Sequence, residues 1–267
     1  MARSIPRRLD RLPRRVGKSL KLLRLTANWR QLFRSQLAHT RLPEIRLRTG
    51  LSISGPPELD LRFLFEEIWI QEVYSGPGYE IRPNSAVVDV GASIGVFALY
   101  AATRHPTVLV LACEPYLPSY QWLCRNVAEN RLPNIRTLPF AVAGSRGQRR
   151  LSVHPTNWLL HSLDRDAVGP PVPVDCVDLA QLLEYLRPPA CDLLKLDCEG
   201  SEHEILEACD EKTLQKVQRI VAEYHRSPDG RRDGHTLRNF LETRGYAVDR
   251  FEETGDGAGY LAARRRE

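Results

Sequence analysis

The stretch SAVVDVGASIGVFALYA at residues 85–101 decides the fold of the chain. It begins with an apolar run that predicts a buried strand, continues through a turn of small residues from Gly91 to Gly95, and ends in an apolar segment that predicts a helix. Such a turn lets the backbone approach a ligand closely, and the helix that follows offers unpaired N–H groups. Asp89 adds a carboxylate at the carboxyl end of the strand, where open parallel sheets bind ligands. The stretch therefore predicts a nucleotide-binding crevice.

A second apolar segment predicts the neighbouring strand and a second acid. Residues 108–113 are apolar, and Glu114 follows them, 19 positions after Gly95. An acid at this place can take the two hydroxyls of a ribose. Gly91 and Gly95 lack the middle glycine of the dinucleotide fingerprint, so the alternative is that they only permit a sharp turn.

Strands and helices alternate along most of the chain, which is typical of a doubly wound α/β sheet. Five strands with crossover helices precede two late strands that read as a closing antiparallel hairpin. The predicted strands are residues 86–90, 108–113, 135–142, 193–196, 219–224, 246–252 and 259–264.

The stretch CDLLKLDCEG at residues 191–200 predicts a central strand that carries charge. Its leucines indicate burial, and Lys195 lies among them, where an unpaired ammonium would be costly. We therefore expect Lys195 to pair with a carboxylate, with Glu223 as one candidate, or to serve the site. Four groups at the predicted carboxyl ends of neighbouring strands are candidates for a general base: Asp197, Glu199, Glu223 and His225.

Two further segments are expected to contact ligands. Ala141 and Val142 are small enough to leave room for a flat ring such as adenine, and ordinary tight packing explains them equally well. Residues 156–173 form a long polar segment rich in Pro and Gly that contains Trp158 and His161. Loops of this length in compact domains are often functional, so we expect this one to bind the acceptor.

Residues 1–50 differ from the rest of the chain in charge. They carry 14 Lys or Arg against two acids, a net charge of +12, whereas the remainder carries −7. Residues 1–17 predict a disordered basic arm, and residues 18–38 predict one amphipathic basic helix. The helix either docks on an anionic membrane surface, through residues 1–38, or packs on its own domain with solvated arginines. We expect a basic N-terminal extension at 1–50 and one domain at 51–267.

The composition indicates which class of protein the chain belongs to. The 267 residues are 42% hydrophobic and 27% charged, as in a globular chain, and no apolar run is long enough to span a bilayer. The basic N terminus lacks the apolar core of a secretory signal. Six cysteines occur singly, without a C-x-x-C pair, which indicates core residues in a reducing compartment. These features predict a cytoplasmic or membrane-peripheral protein, and they do not predict its oligomeric state.

Four motifs together resemble the FkbM-type S-adenosylmethionine-dependent methyltransferases. They are VVDVGASIGVF at 87–97, ACEP at 112–115, LLKLDCEGSEHEIL at 193–206 and VAEYH at 221–225. The resemblance covers the chain from about residue 63 to the C terminus. It implies a seven-stranded, Rossmann-like sheet of the class I methyltransferase type with helices on both faces, preceded here by a helical N-terminal extension. It also implies methylation of a hydroxyl on a small-molecule or glycan acceptor, such as a sugar or secondary metabolite.

The resemblance implies roles for particular residues. Where the family has D-x-G-A-N-x-G, this chain has Ser93 in place of the asparagine, with a shorter reach. Glu114 would hold the ribose hydroxyls. Independently of the resemblance, Lys195 is expected to set the ionisation of a nearby acid. The residues that would line the methionine and ribose end of the cofactor are Asp89, Gly91, Ala92, Ser93 and Gly95. Those that would lie beside the adenine are Ala141 and Val142, and those at the catalytic rim are Asp197 and Glu199.

The base and a metal remain alternatives at the same edge. Asp197 and His225 are the favoured bases, because each would lie within reach of an acceptor hydroxyl, although His225 could also be a surface histidine. Asp197, Glu199 and His225 could instead hold a divalent metal ion, since two carboxylates and an imidazole are plausible ligands. Nothing in the sequence requires a metal.

Three other functions share some of these features. A nicotinamide-dependent oxidoreductase would have the same strand, turn and helix, but the missing middle glycine disfavours it. A nucleic-acid (RNA) methyltransferase would suit the basic N terminus, but base-amino methyltransferases have an Asn/Asp-Pro-Pro-aromatic motif where this chain has Asp-Cys-Glu-Gly at 197–200. A non-catalytic scaffold at a membrane would have no need of the retained acids.

Overall fold

A computed structural model describes residues 12–154, 161–163, 170–255 and 257–266. The chain forms two compact units, Met1–Glu72 and Val73–Glu267. Most of the basic arm expected at 1–17 and most of the loop expected at 156–173, including Trp158, lie outside the described residues. In the part of the chain that the structure describes, no helix has both the length and the apolar character needed to cross a bilayer. A domain boundary near residue 50 stays a prediction.

The first unit begins with two helices rather than one. Helix α1 (Leu12–Leu25) ends before Thr26, and α2 (Trp29–Ala38) begins after Asn28, so the prediction of one helix over 18–38 is wrong. The hydroxyl of Thr26 donates to the carbonyl of Leu22 at 2.8 Å, and the Asn28 side chain accepts from the amide of Arg46 at 2.9 Å. These side chains bond to nearby or distant backbone and thus compete with a continuous helix. The unit continues with β1 (Glu44–Arg46), β2 (Ser52–Ser54), α3 (Leu61–Phe65) and a π-helical turn over Glu66–Gln71.

The second unit alternates strands and helices. Its strands are β3 (Ala86–Val90), β4 (Leu109–Cys113), β5 (Ile135–Leu138), β6 (Ala141–Val142), β7 (Gly147–Leu151), β8 (Val172–Val177), β9 (Leu193–Leu196), β10 (Arg219–His225), β11 (Tyr246–Glu253) and β12 (Ala258–Arg265). Its helices are α4 (Val96–Ala102), α5 (Leu117–Glu129), α6 (Leu179–Leu183), α7 (Glu202–Glu207), α8 (Glu211–Leu214) and α9 (Gly234–Thr243).

Seven of these strands form one sheet in the order β11-β12-β10-β9-β3-β4-β5, which confirms the predicted fold class. Strand β3 pairs in parallel with β4 on one side and with β9 on the other. The chain therefore winds outward from β3 to β5 and then returns to continue from β9 to β10 in the opposite direction. Because crossovers between parallel strands are right-handed, the connecting helices cover both faces, and the crevice opens at the carboxyl ends of β3 and β9. The expected antiparallel hairpin, β11 with β12, closes the sheet beside β10.

The strand expected at 135–142 is two strands in different sheets, so that prediction is wrong in its extent. Ile135–Leu138 ends the large sheet, whereas Ala141–Val142 pairs with β8 in a separate three-stranded sheet. Pro139 lies between them and has no N–H to donate to a neighbouring strand. Ala141 and Val142 thereby leave the sheet directly after the end of β5.

The central strands are buried along nearly their whole length, and two charged residues are buried with them. All four residues of β9 and the last four of β3 are buried. Asp89 is 0% and Lys195 2% exposed. Since an isolated charge in such a place is unstable, the structure must pair these two groups.

Candidate active site

The turn after β3 requires glycine at its first position. Gly91 has a φ of +73°, and a Cβ added there would lie 1.8 Å from the carbonyl oxygen of Asp197. The amides of Gly91 and Ala92 both donate to the carbonyl of Cys113, at 3.1 and 2.9 Å. The turn is thus held between the ends of β4 and β9, as expected for a turn that brings backbone close to a ligand. Gly95 ends it, and a Cβ at that position would lie 2.6 Å from Leu123.

Glu114 holds the same turn from the end of β4. Its Oε2 accepts from the amide of Ser93 and its Oε1 from the amide of Tyr116, each at 2.8 Å. Burial raises the pKa of Glu114 to about 7, although the two amide hydrogen bonds act in the opposite direction. Ser93 itself has a φ of +49°, a conformation that asparagine adopts more readily than serine. Its buried hydroxyl has no hydrogen-bond partner among the residues that the structure describes.

Lys195 pairs with carboxylates, as predicted, but the partners are Asp89 and Asp197. Its Nζ lies 3.0 Å from Oδ1 of Asp89 and 3.4 Å from Oδ2 of Asp197, and it donates to the carbonyl of Gly91 at 2.8 Å. Burial opposes the ammonium form, but the attraction of the two carboxylates outweighs it and raises the pKa of Lys195 above its ordinary value. Lys195 is therefore a fixed positive charge that joins β3, β9 and the turn.

Tyr74 joins this group, and sequence reasoning missed it. Its hydroxyl lies 2.9 Å from Oδ2 of Asp197 and 3.1 Å from Oε2 of Glu223. The side chain is 2% exposed. Tyr74 lies 123 positions before Asp197, and no motif surrounds it, so only the fold brings the two together.

His225 ends β10 among acids, which removes the alternative of a surface histidine. It is 5% exposed, and its Nδ1 lies 3.2 Å from Oε1 of Glu202. Its Nε2 lies 3.5 Å from Oε2 of Glu199. Burial lowers the pKa of His225, but the hydrogen bond and charge of Glu202, with the charges of Glu199 and Asp197, outweigh burial and raise the pKa to about 9. His225 is therefore an imidazolium at neutral pH.

Glu202 is a second residue that sequence reasoning left without a role. It is 0% exposed, and its carboxylate accepts from the amides of Cys198, at 3.0 Å, and Gly200, at 3.1 Å. Burial raises the pKa of Glu202, but the hydrogen bond and charge of His225, together with backbone hydrogen bonds such as that of Cys198, outweigh burial and lower the pKa. Glu202 thus closes the turn after β9 and fixes Glu199, whose φ is +56°. The sequence signal for this role was the position of Glu202, an acid three residues after Glu199 in the same motif.

Of the two expected ligand segments, the structure describes the residues expected beside adenine in full and the expected acceptor loop in part. Ala141 and Val142 are each 3% exposed, and a role beside adenine stays a prediction. From the expected acceptor loop, Ser162 donates to the carbonyl of Glu199 at 2.6 Å, and His161 packs edge-on against Tyr116 with ring centroids 4.4 Å apart. This part of the loop is thereby anchored beside the turns that follow β4 and β9.

The described residues contain no group of three His, Cys, Asp or Glu side chains arranged to hold a metal ion. Two of the three ligands considered for a metal, Glu199 and His225, face each other as an acid and a charged imidazolium.

The structure therefore brings most of the predicted site residues to one edge of the sheet. The turn residues from Asp89 to Gly95, with Glu114, form one side. The other side consists of Lys195, Asp197, Glu199 and His225. Lys195 links the two sides, because it contacts Asp89 and Asp197 at once.

Comparison with known proteins gives a consistent result. A family model described as the methyltransferase FkbM domain matches residues 89–248, more than half of the chain. The methyltransferase sdnD of Sordaria araneosa is 30% identical in an alignment 265 residues long, and the alignment covers 86% of this chain and 100% of that protein. The 31-O-demethyl-FK506 methyltransferase FkbM of Streptomyces tacrolimicus is 28% identical over 211 residues, 68% of this chain and 81% of its own length. The AMB antimetabolite synthetase AmbE of Pseudomonas aeruginosa is 27% identical over 77% of this chain, which spans only 11% of that protein.

Proposed function

The chain belongs to the FkbM methyltransferase family, and we propose that it transfers the methyl group of S-adenosylmethionine to a hydroxyl oxygen of a sugar, glycan or secondary metabolite. One observation carries the proposal. The ammonium of Lys195 lies within 3.4 Å of both Asp89 and Asp197. Asp89 lies beside the turn that starts at Gly91, and Asp197 lies on the opposite side of that turn. A donor-binding turn and an acid that can serve the acceptor are thus joined in one place.

The residues present fit S-adenosylmethionine. Glu114 is a buried carboxylate whose oxygens retain lone pairs for the hydroxyls of a ribose. The buried hydroxyl of Ser93 lacks a partner among the described residues, so it is available to a ligand in the turn. Asp89, Gly91, Ala92 and Gly95 shape the same turn. When bound, S-adenosylmethionine supplies the electrophilic methyl group.

Asp197 is the base in this proposal. The hydroxyl of an alcohol is a poor nucleophile while neutral, and a carboxylate within hydrogen-bond reach helps as its proton becomes acidic. Asp197 accepts that proton from the acceptor. His225, which was favoured equally from the sequence, holds a proton on each ring nitrogen at neutral pH, so it orients Glu199 and Glu202 instead of acting as a base.

The exposed charges at the catalytic rim, which consists of Asp197, Glu199 and Glu223, favour an uncharged acceptor. The side chains of Asp197, Glu199 and Glu223 are 27%, 16% and 23% exposed, whereas those of Lys195 and His225 are 3% and 6% exposed. An approaching molecule therefore meets carboxylates, with the balancing positive charges behind them. Such a rim repels phosphate groups, which favours neutral polyols over nucleotide sugars and over the alternative of RNA.

The test is a labelled-methyl transfer screen across neutral polyols, secondary metabolites and their phosphorylated counterparts. We expect transfer to neutral hydroxyl acceptors, with little transfer to phosphorylated ones and full activity in excess chelator. Asp197→Asn should lower turnover by roughly 100-fold or more, since removal of a general base has effects of this order. The affinity for S-adenosylmethionine, measured by calorimetry, should stay within a factor of about three. Turnover close to that of the wild type would remove Asp197 as the base.

A further inference from the structure

We propose that Tyr74 is a proton relay between Asp197 and Glu223. The inference rests on the proposed function, because it concerns the path of the proton that Asp197 takes from the acceptor. The hydroxyl of Tyr74 lies between the two carboxylates, 2.9 Å from Oδ2 of Asp197 and 3.1 Å from Oε2 of Glu223. Both distances are within hydrogen-bond reach, so one hydroxyl can serve either carboxylate.

Tyr74 has a single hydroxyl proton for two carboxyl groups. A phenol donates one hydrogen bond and can accept others, whereas ionised carboxylates only accept. Tyr74 can therefore donate to one of the two acids, and the other can donate to Tyr74 when it is protonated. The three groups form a chain in which a proton that enters at one carboxylate can leave at the other.

The side chain of Asp197 is itself 27% exposed, but an acceptor bound on it would cover that surface, and Lys195 cannot take its proton. Lys195 lies 3.4 Å from Oδ2 of Asp197 and is held as an ammonium by Asp89 and Asp197 together. Glu223, in contrast, is a carboxylate whose side chain is 23% exposed, so it can pass a proton to solvent. The geometry therefore leads from the acceptor to Asp197, through Tyr74, and out through Glu223.

The transfer balances at each atom. The acceptor hydroxyl gives its proton to the carboxylate of Asp197. Asp197 then gives a proton to the oxygen of Tyr74 while the original hydroxyl proton of Tyr74 passes to Glu223. Glu223 releases that proton to water, and all three groups return to their starting state.

The surroundings of Tyr74 allow a clean substitution. Its ring packs edge-on against Phe97, at 5.6 Å between centroids, and against Tyr260, at 6.0 Å. Lys195 Nζ lies 5.3 Å from the centroid of the Tyr74 ring. Phenylalanine retains these ring contacts and removes only the hydroxyl, so Tyr74→Phe isolates the relay from the packing.

The experiment is a double-mutant cycle on the full chain with Tyr74→Phe, Glu223→Gln and the combined variant. We expect each single variant to lower kcat by about tenfold or more, with KM for the acceptor and the Kd for S-adenosylmethionine nearly unchanged. Tyr74 and Glu223 lie on the same proton path, so the loss of either one interrupts it. The combined variant should therefore be no slower than the slower single variant.

Tyr246→Phe is the matched control. Its buried hydroxyl donates to the carbonyls of Leu214 and Val217, at 2.8 and 2.9 Å, at the other end of β10. It should lower the melting temperature and leave kcat nearly unchanged. If the Tyr74 hydroxyl had only a structural role, Tyr74→Phe would give the same result.

Three results would overturn the relay in an active enzyme: an unchanged kcat in Tyr74→Phe, an unchanged kcat in Glu223→Gln, or multiplicative losses in the combined variant. If Tyr74→Phe does not fold, normal turnover in Glu223→Gln is sufficient to reject the relay. A wild-type chain that transfers no methyl group to any acceptor would overturn the proposed function, and the relay with it, so the two failures are distinct.

Discussion

At the scale of one residue, Lys195 shows that a buried charge requires a partner of opposite charge. Its ammonium lies between Asp89 and Asp197 and contacts the carbonyl of Gly91. The sequence predicted that this lysine would have an acidic partner, because an unpaired buried charge is costly. It could not predict which acids, because β9 pairs with both β3, which carries Asp89, and β10, which carries Glu223, and only the structure shows that Asp89 and Asp197 are the partners.

Replacement of Lys195 should destabilise the fold strongly. Lys195→Met leaves the buried carboxylate of Asp89 without its partner, which should cost about 3–5 kcal/mol in the free energy of unfolding. The double variant Asp89→Asn/Lys195→Met should recover part of this loss. Lys21→Met is the control, because the Lys21–Glu72 pair is 36% and 39% exposed and should contribute less than about 1 kcal/mol. Urea denaturation measures all three, and a loss in Lys195→Met no larger than that in Lys21→Met would contradict the argument.

Glu114 should make cofactor affinity depend on pH. Its pKa of about 7 in the folded protein means that the carboxylate, which we propose accepts the ribose hydroxyls, forms only as pH rises through this value. Affinity should therefore increase by about tenfold between pH 6 and pH 8 and level off above, as a single titration requires. Calorimetric titration at several pH values checks this. Glu114→Gln should bind more weakly and without that slope, so an equal slope in the variant would reject Glu114 as the cause.

The same group has the opposite effect on the stability of the ligand-free protein. A raised pKa means that the folded state binds more protons than the unfolded state between about 4.5 and 7. The contribution of Glu114 to stability is thus fully present below its unfolded pKa and is lost as pH rises through its folded pKa. Glu114→Gln should remove this loss, which denaturation at pH 5 and pH 8 would detect.

At the scale of elements, the turn between β3 and α4 is the part that the sequence described best. A strand, small residues and a helix follow one another within residues 85–101, so their order is local information. The limits of other elements depended on single residues. Pro139 ends β5 because it lacks an N–H, and Asn28 separates α1 from α2 because its side chain bonds to Arg46 of β1.

Gly91→Ala should lower the free energy of unfolding by more than the penalty for its left-handed backbone conformation alone. Both Gly91 and Gly245 have a positive φ, +73° and +84°, but a Cβ at Gly91 meets the carbonyl of Asp197 whereas a Cβ at Gly245 meets nothing within 4 Å. Gly245→Ala should therefore cost about 1–2 kcal/mol, the penalty for a left-handed conformation. Gly91→Ala should cost more and should also abolish binding of S-adenosylmethionine. Equal losses in the two variants would show that β9 moves aside and that the close approach is unimportant.

At the scale of the whole molecule, charge is divided between the N-terminal extension and the rest. Residues 1–50 carry a net charge of +12 and the remainder −7. Two apolar side chains one turn apart on α2, Phe33 and Leu37, are 55% and 69% exposed, and the exposed Arg30 and Arg34 flank them. Arginine beside exposed apolar side chains on one helix face is typical of helices that lie on anionic membranes. Peripheral membrane contact through residues 1–38 stays a prediction on these grounds.

Vesicle sedimentation tests this prediction. The full chain should sediment with vesicles that contain anionic lipid, with an affinity that falls as salt increases, and should not sediment with neutral vesicles. Phe33→Ser/Leu37→Ser should lose binding, whereas Leu109→Ser, at a 38% exposed site on β4, should retain it. Binding that is equal in all variants, or that is absent with anionic vesicles, would leave residues 1–38 without this role. Self-association that depends on Phe33 and Leu37 would assign the face to a second copy of the chain.

The order of strands and helices, the small-residue turn and the acids at the strand ends were readable from the sequence alone. Periodicity and turn residues are local properties, and the carboxyl ends of parallel strands meet at one edge of the sheet. Only the tertiary structure decided that Lys195 pairs with Asp89, that Tyr74 joins Asp197 to Glu223, and that His225 is charged. Those outcomes depend on burial and on distances between groups far apart in the chain, and the electrostatic energies that set them vary too steeply with distance and burial to be read from residue order.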